Sequence, residues 1–378
     1  MLILGIPKEI KTLEKRVGLT PDGASHLIGK GITVLVETRA GAESGFSDAD
    51  YQKAGAQIIP SPEKLYALAG LIQKVKEPLS AEFPLLRKEH TLFCFLHLAS
   101  QENCALKDAL VHSRCTAVGF ETLRVDGRLP LLAPMSQIAG GLAAGYAAMI
   151  PSQIKVAGET ISYHPFFRDE METIAKTYPK ANESYHLGSV VIFGAGVAGI
   201  AALEVAKKLG GRIIMIEKNL ESRKRLASQG IAVLAPEDSL DDILKSADVL
   251  IGCAHAMGQR ANYVITQDQL AKASIIKKKI ILDISIDQGG NFPESHSTSY
   301  QNPLCLDSLG NIRFAVPNIP SLAGTSASRM LTEASLPYTE LLALKGPSAF
   351  ESSTPLSEAI NIRNGEILIE AIRQAHTK

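Results

Sequence analysis

The sequence predicts an α/β protein of two doubly wound domains with parallel sheets, separated by an active-site cleft. Three observations carry that prediction. Through the first third of the chain, short apolar runs alternate with helical stretches, the pattern of a parallel sheet with helices on both faces. The stretch from Ser189 to Glu217 runs strand, glycine-rich turn, alanine-rich helix, strand and acid. Between these regions lies a small, apolar segment, SQIAGGLAAGYAAMI at 136–150, that predicts a long packed helix crossing between domains. A length of 378 residues fits two or three domains.

The elements follow in order. Leu2–Ile6 and Thr33–Glu37 read as strands, with a helix over Asp22–Lys30 between them. Apolar runs at Leu71–Val75, Thr91–Leu96 and Thr116–Phe120 continue the alternation. Residues 151–187 change character, being polar and rich in Pro, Tyr and His, and read as an irregular, partly helical insertion. Tyr163, His164 and Tyr185 lie in it and suit a surface loop better than a cleft. Val190–Phe193 and Ile213–Ile216 are the strands around the glycine-rich turn, and Val249–Gly252 and Ile280–Ile284 are further strands of that unit. The tail predicts a helix from about Ser328 and a last one over Glu366–His376. No internal repeat or low-complexity tract stands out. The expected domains are 1–133 with about 306–378, a discontinuous substrate domain, and 134–305, which contains the insertion.

Composition narrows the function. Lys plus Arg equals Asp plus Glu at 39 each, which points away from nucleic acid and from anionic membrane surfaces. The five cysteines are scattered without a CxxC pair, as in a reducing compartment, and suggest neither a disulfide framework nor a metal site. The first strand begins almost at once, and no apolar run is long enough for a signal peptide or a membrane span. The expectation is a soluble, cytoplasmic protein.

The glycine-rich turn carries chemistry. Gly194-Ala195-Gly196-Val197-Ala198-Gly199, between a strand and a helix, is a dinucleotide-binding fingerprint in its structural context. Gly194 allows the tight turn, Gly196 a close approach to a pyrophosphate, and Gly199 tight helix–strand packing with the helix N-terminus toward the phosphates. Glu217 stands near the position of the carboxylate that binds the adenosine ribose hydroxyls. A carboxylate there repels a 2′-phosphate and favours NAD over NADP, although Lys218, Arg223 and Lys224 lie beside it. The domain is thus Rossmann-like, and NAD is the expected cofactor.

Four short constellations fall where α/β proteins place ligands, at the carboxyl ends of strands. They are Lys15–Pro21 with Arg16, Lys74–Pro78 with Lys76, Phe93–Leu98 with His97, and Asp283–Gly290 with Asp287. Taken singly, the cations also suit a solvated surface, His97 a satisfied buried histidine and Asp287 a turn.

Together they resemble the alanine dehydrogenase and nicotinamide nucleotide transhydrogenase superfamily, and most closely alanine dehydrogenase. The likeness covers nearly the whole chain. It includes GIPKEI and E-x-RV-x-LTP within Gly5–Pro21, VETRAGAESGF at Val36–Phe46 and KVKEPL at Lys74–Leu79. LF-x-FLHLA at Leu92–Ala99, PLLAPMS at Pro130–Ser136 and IDQGG at Ile286–Gly290 complete it. The transhydrogenase branch lacks the histidine of FLHLA and the aspartate of IDQGG. The resemblance implies that Arg16 and Lys76 hold the carboxylate and carbonyl of pyruvate, that His97 is the general acid/base, and that Asp287 orients the amine. Ser136 and the residues after Gly194 (Gly196, Val197, Ala198, Gly199) would hold the cofactor. The implied reaction is reversible NAD-dependent oxidative deamination of L-alanine to pyruvate and ammonium, in a homo-oligomer, plausibly a hexamer. A saccharopine- or opine-type dehydrogenase and a transhydrogenase-like NAD(H)-binding subunit are the alternatives. The chain departs from the family at Gln137 and Gly141, at the insertion that replaces a glycine-rich linker, at Met257–Asn262, and at Ala323–Ser328. All four departures are expected near the cofactor, the domain cleft or subunit contacts.

Overall fold

The computed structural model describes residues 1–157, 187–254 and 261–375. The chain divides into two compact units, Met1–Met135 with Pro320–Lys378, and Ser136–Ile319.

The first unit contains β1 (Leu4–Ile6), β2 (Val34–Glu37), β3 (Gln57–Ile59), β4 (Leu71–Gln73), β5 (Thr91–Cys94) and β6 (Thr116–Gly119), with β14 (Ile360–Arg363) and β15 (Glu366–Ile367) from the tail. Their order in the sheet is β15-β14-β6-β5-β4-β1-β2-β3. The first six are parallel; β14 joins β6 antiparallel, and β15 joins β14 the same way. Leu4, Ile6, Val34, Val36, Leu71, Ile72, Leu92 and Phe93 are all buried. Continuous apolar runs of this kind are what a parallel sheet covered on both faces requires. Helices start at chemical caps: Thr20 before Pro21, Ser61 before Pro62, and Ser47 in a capping box with Asp50.

Two strands are shorter than the apolar runs suggest, and the difference matters. The ladders end at Gln73 and Cys94, so Val75 and Leu96, though buried, belong to the loops that carry Lys76 and His97. Strand order reverses at β1, which pairs with β2 on one side and β4 on the other. That reversal is the point at which open α/β sheets leave a crevice beyond the strands' carboxyl ends.

The second unit contains β7 (Ser189–Phe193), β8 (Arg212–Ile216), β9 (Ala232–Leu234), β10 (Val249–Gly252), β11 (Ile280–Asp283), β12 (Leu304–Leu306) and β13 (Ile312–Phe314). Their order is β12-β13-β11-β10-β7-β8-β9, all parallel except β12 at the edge. This order also reverses, at β7 between β8 and β10. The unit extends past residue 305, the expected end of that domain, because β13 adds in parallel to β11 and carries the compact region to Ile319.

One expectation is extended and one is corrected. The long helix expected at 136–150 runs from Ala133 to Ala157, so the insertion, read as partly helical, begins as helix; residues 158–186, with Tyr163, His164 and Tyr185, lie outside the described residues. The last helix does not begin at Glu366. Asn364 (φ 54°) and Gly365 (φ 88°) form a left-handed turn that folds β15 back on β14, and the helix is Glu370–Ala375. Asn-Gly is the strongest short hairpin signal, and here it overrides helical periodicity. Among the described residues, no helix is long and apolar enough to cross a membrane, and no group of three or more His, Cys, Asp or Glu could hold a metal.

Candidate active site

In the first unit, Arg16, Lys76 and His97 sit on the loops that leave β1, β4 and β5. Arg16 is buried, and its guanidinium is held in place. Nε donates to Glu14 Oε1 at 2.6 Å, Nη2 to Glu14 Oε2, and Nη1 points at the Met135 sulfur, 3.0 Å away. This two-pronged pairing fixes the plane of the fork, which a buried cation needs both electrostatically and for specific recognition of a planar anion. Lys76 is buried too. Its neighbour two residues back, Lys74, points instead into a buried ion network. Lys74 Nζ is 2.7 Å from Glu82 and 3.5 Å from Glu9, and Glu9 Oε1 accepts from the Val75 amide at 2.6 Å. The pair KVK thus uses one lysine, Lys74, to fasten the loop after β4 to the loop after β1.

His97 is half-buried, and its backbone adopts φ 48°, the left-handed region. Its ring lies parallel to that of Phe95, with centroids 5.8 Å apart. Burial, and then the positive charges of Lys76, Lys11 and Arg16, push its pKa well below the ordinary histidine value. The imidazole is therefore neutral at neutral pH and available as a proton acceptor. Lys11 is itself ion-paired to Glu77, whose carboxylate is buried and whose Oε2 has no hydrogen-bond partner among the described residues.

The Arg16 loop is pinned from behind by the helix Gly324–Lys345. Ser328 Oγ accepts from the Val17 amide at 3.0 Å, and Thr332 Oγ1 from the Thr20 amide at 3.0 Å. Gly324 lies so close that a Cβ there would be 3.1 Å from the Lys15 carbonyl oxygen. The altered Ala323–Ser328 segment therefore seats its small residues against the Arg16 loop within the first unit.

In the second unit, the glycine-rich turn has the shape a dinucleotide needs. Gly194 adopts φ +95°, and a Cβ on Gly199 would be 1.8 Å from the Gly194 carbonyl oxygen, so only glycine fits there. Among the described residues, the helix Val197–Lys208 starts at Gly196 without a side-chain cap, and a Cβ on Gly196 would meet nothing within 4 Å. Uncapped amides beside open space are an anion site, and the residues present fit a pyrophosphate. Val197 is exposed and Ala198 half-buried at that end. Glu217, half-buried after β8, accepts from the Ala195 amide at 2.6 Å and from the Asn219 amide at 2.7 Å. Its carboxylate is thereby tied to the turn. Ser136 lies in the first turn of the Ala133–Ala157 helix; one turn on, a Cβ at Gly140 would be 1.9 Å from the Ala198 carbonyl oxygen. Gln137 is exposed, Gly141 lies beside Val205, and residues 257–260 lie outside the described residues.

Asp287 is exposed on a single helical turn after β11, in the second unit. Its Oδ2 accepts from the Asn318 amide at 3.2 Å, and Asn318 adopts φ 57°. The turn is shaped by buried Asp283, which accepts from the amides of Asn291 (2.7 Å) and Ser285 (3.2 Å) and from the Ser295 hydroxyl (2.5 Å). Sequence reasoning missed Glu14, Glu121, Asn103 and Asn318. Glu14 was legible as an acid two residues before an arginine, and Glu121 as an acid ending an apolar strand. Asn318 gave no signal until the tail of the second sheet was known.

Two units with reversed strand order, a phosphate-shaped glycine turn on one and a buried cation–histidine group on the other, define a nucleotide-dependent enzyme class built on Rossmann-like sheets. The comparisons identify the family. The alanine dehydrogenase/PNT N-terminal domain matches residues 5–139, and the alanine dehydrogenase/PNT C-terminal domain matches residues 173–370. The chain belongs to the alanine dehydrogenase/PNT family. It is 34% identical over 371 residues to an alanine dehydrogenase of Staphylococcus epidermidis, covering 96% of this chain and 94% of that one. It is 32% identical over 379 residues to alanine dehydrogenase 2 of Staphylococcus aureus, covering 98% and 96%. A solved L-alanine dehydrogenase superposes with a TM-score of 0.85 at 31% identity, covering 98% of each chain. A transhydrogenase from Sinorhizobium meliloti shares the fold, with a TM-score of 0.77 at 20% identity over 97% of this chain and 100% of that one.

Proposed function

We propose that this protein is an amino-acid dehydrogenase that reversibly converts L-alanine to pyruvate and ammonium. The observation that carries the reading is the group at the carboxyl ends of β1, β4 and β5: a His97 held neutral by burial and by the field of Lys76 and Arg16. Guanidinium and ammonium suit the carboxylate and carbonyl of a small 2-oxo acid. Family membership implies a nicotinamide cofactor, and NAD is the form we infer, because Glu217 places a carboxylate beside the glycine turn. Gly194, Gly196, Val197, Ala198, Gly199 and Ser136 would hold it, and when bound it supplies the two-electron redox step.

The chain's own residues do the rest. Arg16, locked by Glu14, binds the substrate carboxylate, and Lys76 takes the carbonyl oxygen. His97, neutral, accepts the proton of the water that adds at Cα, and returns it in the reverse direction. Asp287 orients the amine and relays its proton. A homo-oligomer, a hexamer, in the cytoplasm is the setting the family likeness supports.

Steady-state oxidation of NADH with pyruvate and ammonium tests the proposal, alongside a panel of 2-oxo acids and amines and a parallel series with NADPH. Turnover with pyruvate and ammonium, and a preference for NADH, is the expected result. Turnover only with a 2-oxo acid joined to an amino acid would move the chain to a saccharopine- or opine-type reaction. NADH binding without any turnover would point to a transhydrogenase-like subunit.

A further inference from the structure

We propose that Glu121 and Asn103 are positioning residues that hold His97 in its working orientation. The inference rests on the reading of His97 as the acid/base group. Past Cys94 the backbone leaves the β5 ladder, so the peptides of Leu96 and His97 have no strand partner. Among the described residues they are held instead by two side chains and by the Ser100 amide, which donates to the His97 carbonyl at 3.0 Å. The His97 amide donates to Glu121 Oε1 at 2.7 Å, and the Leu96 amide lies 3.2 Å from each Glu121 oxygen. Asn103 Nδ2 donates to the carbonyls of Leu96 at 3.3 Å and His97 at 3.1 Å. Two consecutive peptide groups are thus held by a carboxylate on their donor side and by an amide on their acceptor side.

The conformation so held is not one that histidine adopts freely. A φ of 48° costs a side-chain-bearing residue energy, and such strain persists only where the surroundings impose it. Glycine would relieve the strain but could not carry an imidazole. One half of the clamp comes from outside the histidine's own loop, since Glu121 follows β6, and the other from the far end of that loop, where Asn103 precedes the helix Cys104–Ser113. A charged acceptor makes the stronger bonds, and the half-buried Glu121 carboxyl is raised chiefly by burial, so the clamp depends on the amides that stabilise its anion. The charged groups around His97 are Lys76 from the loop after β4, Lys11 and Arg16 from the loop after β1, and Glu121 at its backbone.

Glu121→Gln keeps the size but turns one acceptor oxygen into a donor that cannot receive an amide N–H. Asn103→Ala removes the donor on the other side without changing charge. Both variants are expected to bind NADH as the unmodified protein does, by nucleotide fluorescence. In both, kcat for pyruvate amination should fall at least about tenfold while KM for pyruvate stays within about threefold, because a misplaced catalytic group loses rate before affinity. In the nucleotide-free protein, the His97 imidazole titration followed by NMR should move up by about half a pH unit in Asn103→Ala, toward the ordinary histidine value. Folded variants with unchanged kcat and an unmoved His97 titration would overturn the proposal. If Glu121→Gln does not fold, Asn103→Ala decides. If the unmodified protein turns over no 2-oxo acid, the functional reading falls, while the NMR titration still tests the clamp.

Discussion

The properties of His97 come from its neighbours. Three cations and burial keep its ring neutral below the pH at which a solvated histidine would protonate. A base with a lowered pKa stays deprotonated as pH falls through the ordinary range, so kcat/KM for L-alanine oxidation should hold through pH 6.5 and fall only below it. Lys11→Met removes one of the cations and should shift that fall upward, which a pH–rate profile will show. His97→Asn should lower kcat by about 10²–10⁴-fold and leave NADH affinity intact; loss of both together would mean that His97 is structural. The candidate residues Arg16, Lys76 and His97 were legible because charges at strand ends stand out against apolar runs. Glu14 and Glu121 were less so, since an acid acquires its meaning only from the guanidinium or amides it meets in space.

Elements position these side chains by ending where they do. Just past Gln73 and Cys94 the amides of Lys74 and Phe95 still donate to backbone carbonyls, those of Phe93 and Val75, but Val75 and Leu96 hand theirs to carboxylates, Glu9 and Glu121, and the ladders stop. Burial dominates Glu9, whose pKa is raised to about 7 despite Lys74. An acid raised from 4.5 to about 7 binds its proton more tightly when folded, so its contribution to stability declines as pH rises from about 4.5 through 7. Glu9→Gln should flatten that window in melts taken between pH 5 and 8; an unchanged slope would exclude Glu9 as its source. At the other sheet, Gly140→Ala would drive a methyl to 1.9 Å from the Ala198 carbonyl oxygen. It should cost ~1–3 kcal/mol of stability and weaken NADH binding, measured by denaturation and by fluorescence titration, because the helix end it displaces is the phosphate site proposed above. Sequence pattern located that helix but not its contact, since one glycine in a run of small residues looks like the next.

At the scale of the whole molecule, both units use the same order of parallel strands, reversed at β1 in one and at β7 in the other. No sequence repeat announces this, because the pattern of apolar runs is shared while the residues are not. If the dinucleotide belongs to the second unit, NADH at about 100 times its dissociation constant should raise that unit's unfolding free energy by about 2.7 kcal/mol. NADPH should raise it less, because Glu217 stands at the glycine turn. Thermal melts with each nucleotide will show the difference, and equal shifts would remove Glu217 as the discriminator.

The sequence by itself determined the fold class, the glycine turn and the residue types of the site, because periodicity, steric need for glycine and strand-end charges are local properties. It also contained the Asn364-Gly365 hairpin, which periodicity alone misread as helix. Only the tertiary structure decided where the second sheet ends, which lysine of KVK is buried in an ion network, and that Glu121 and Asn103 bracket His97. Those outcomes depend on partners separated along the chain, and hydrogen bonds and ion pairs acquire strength only from the burial that folding creates.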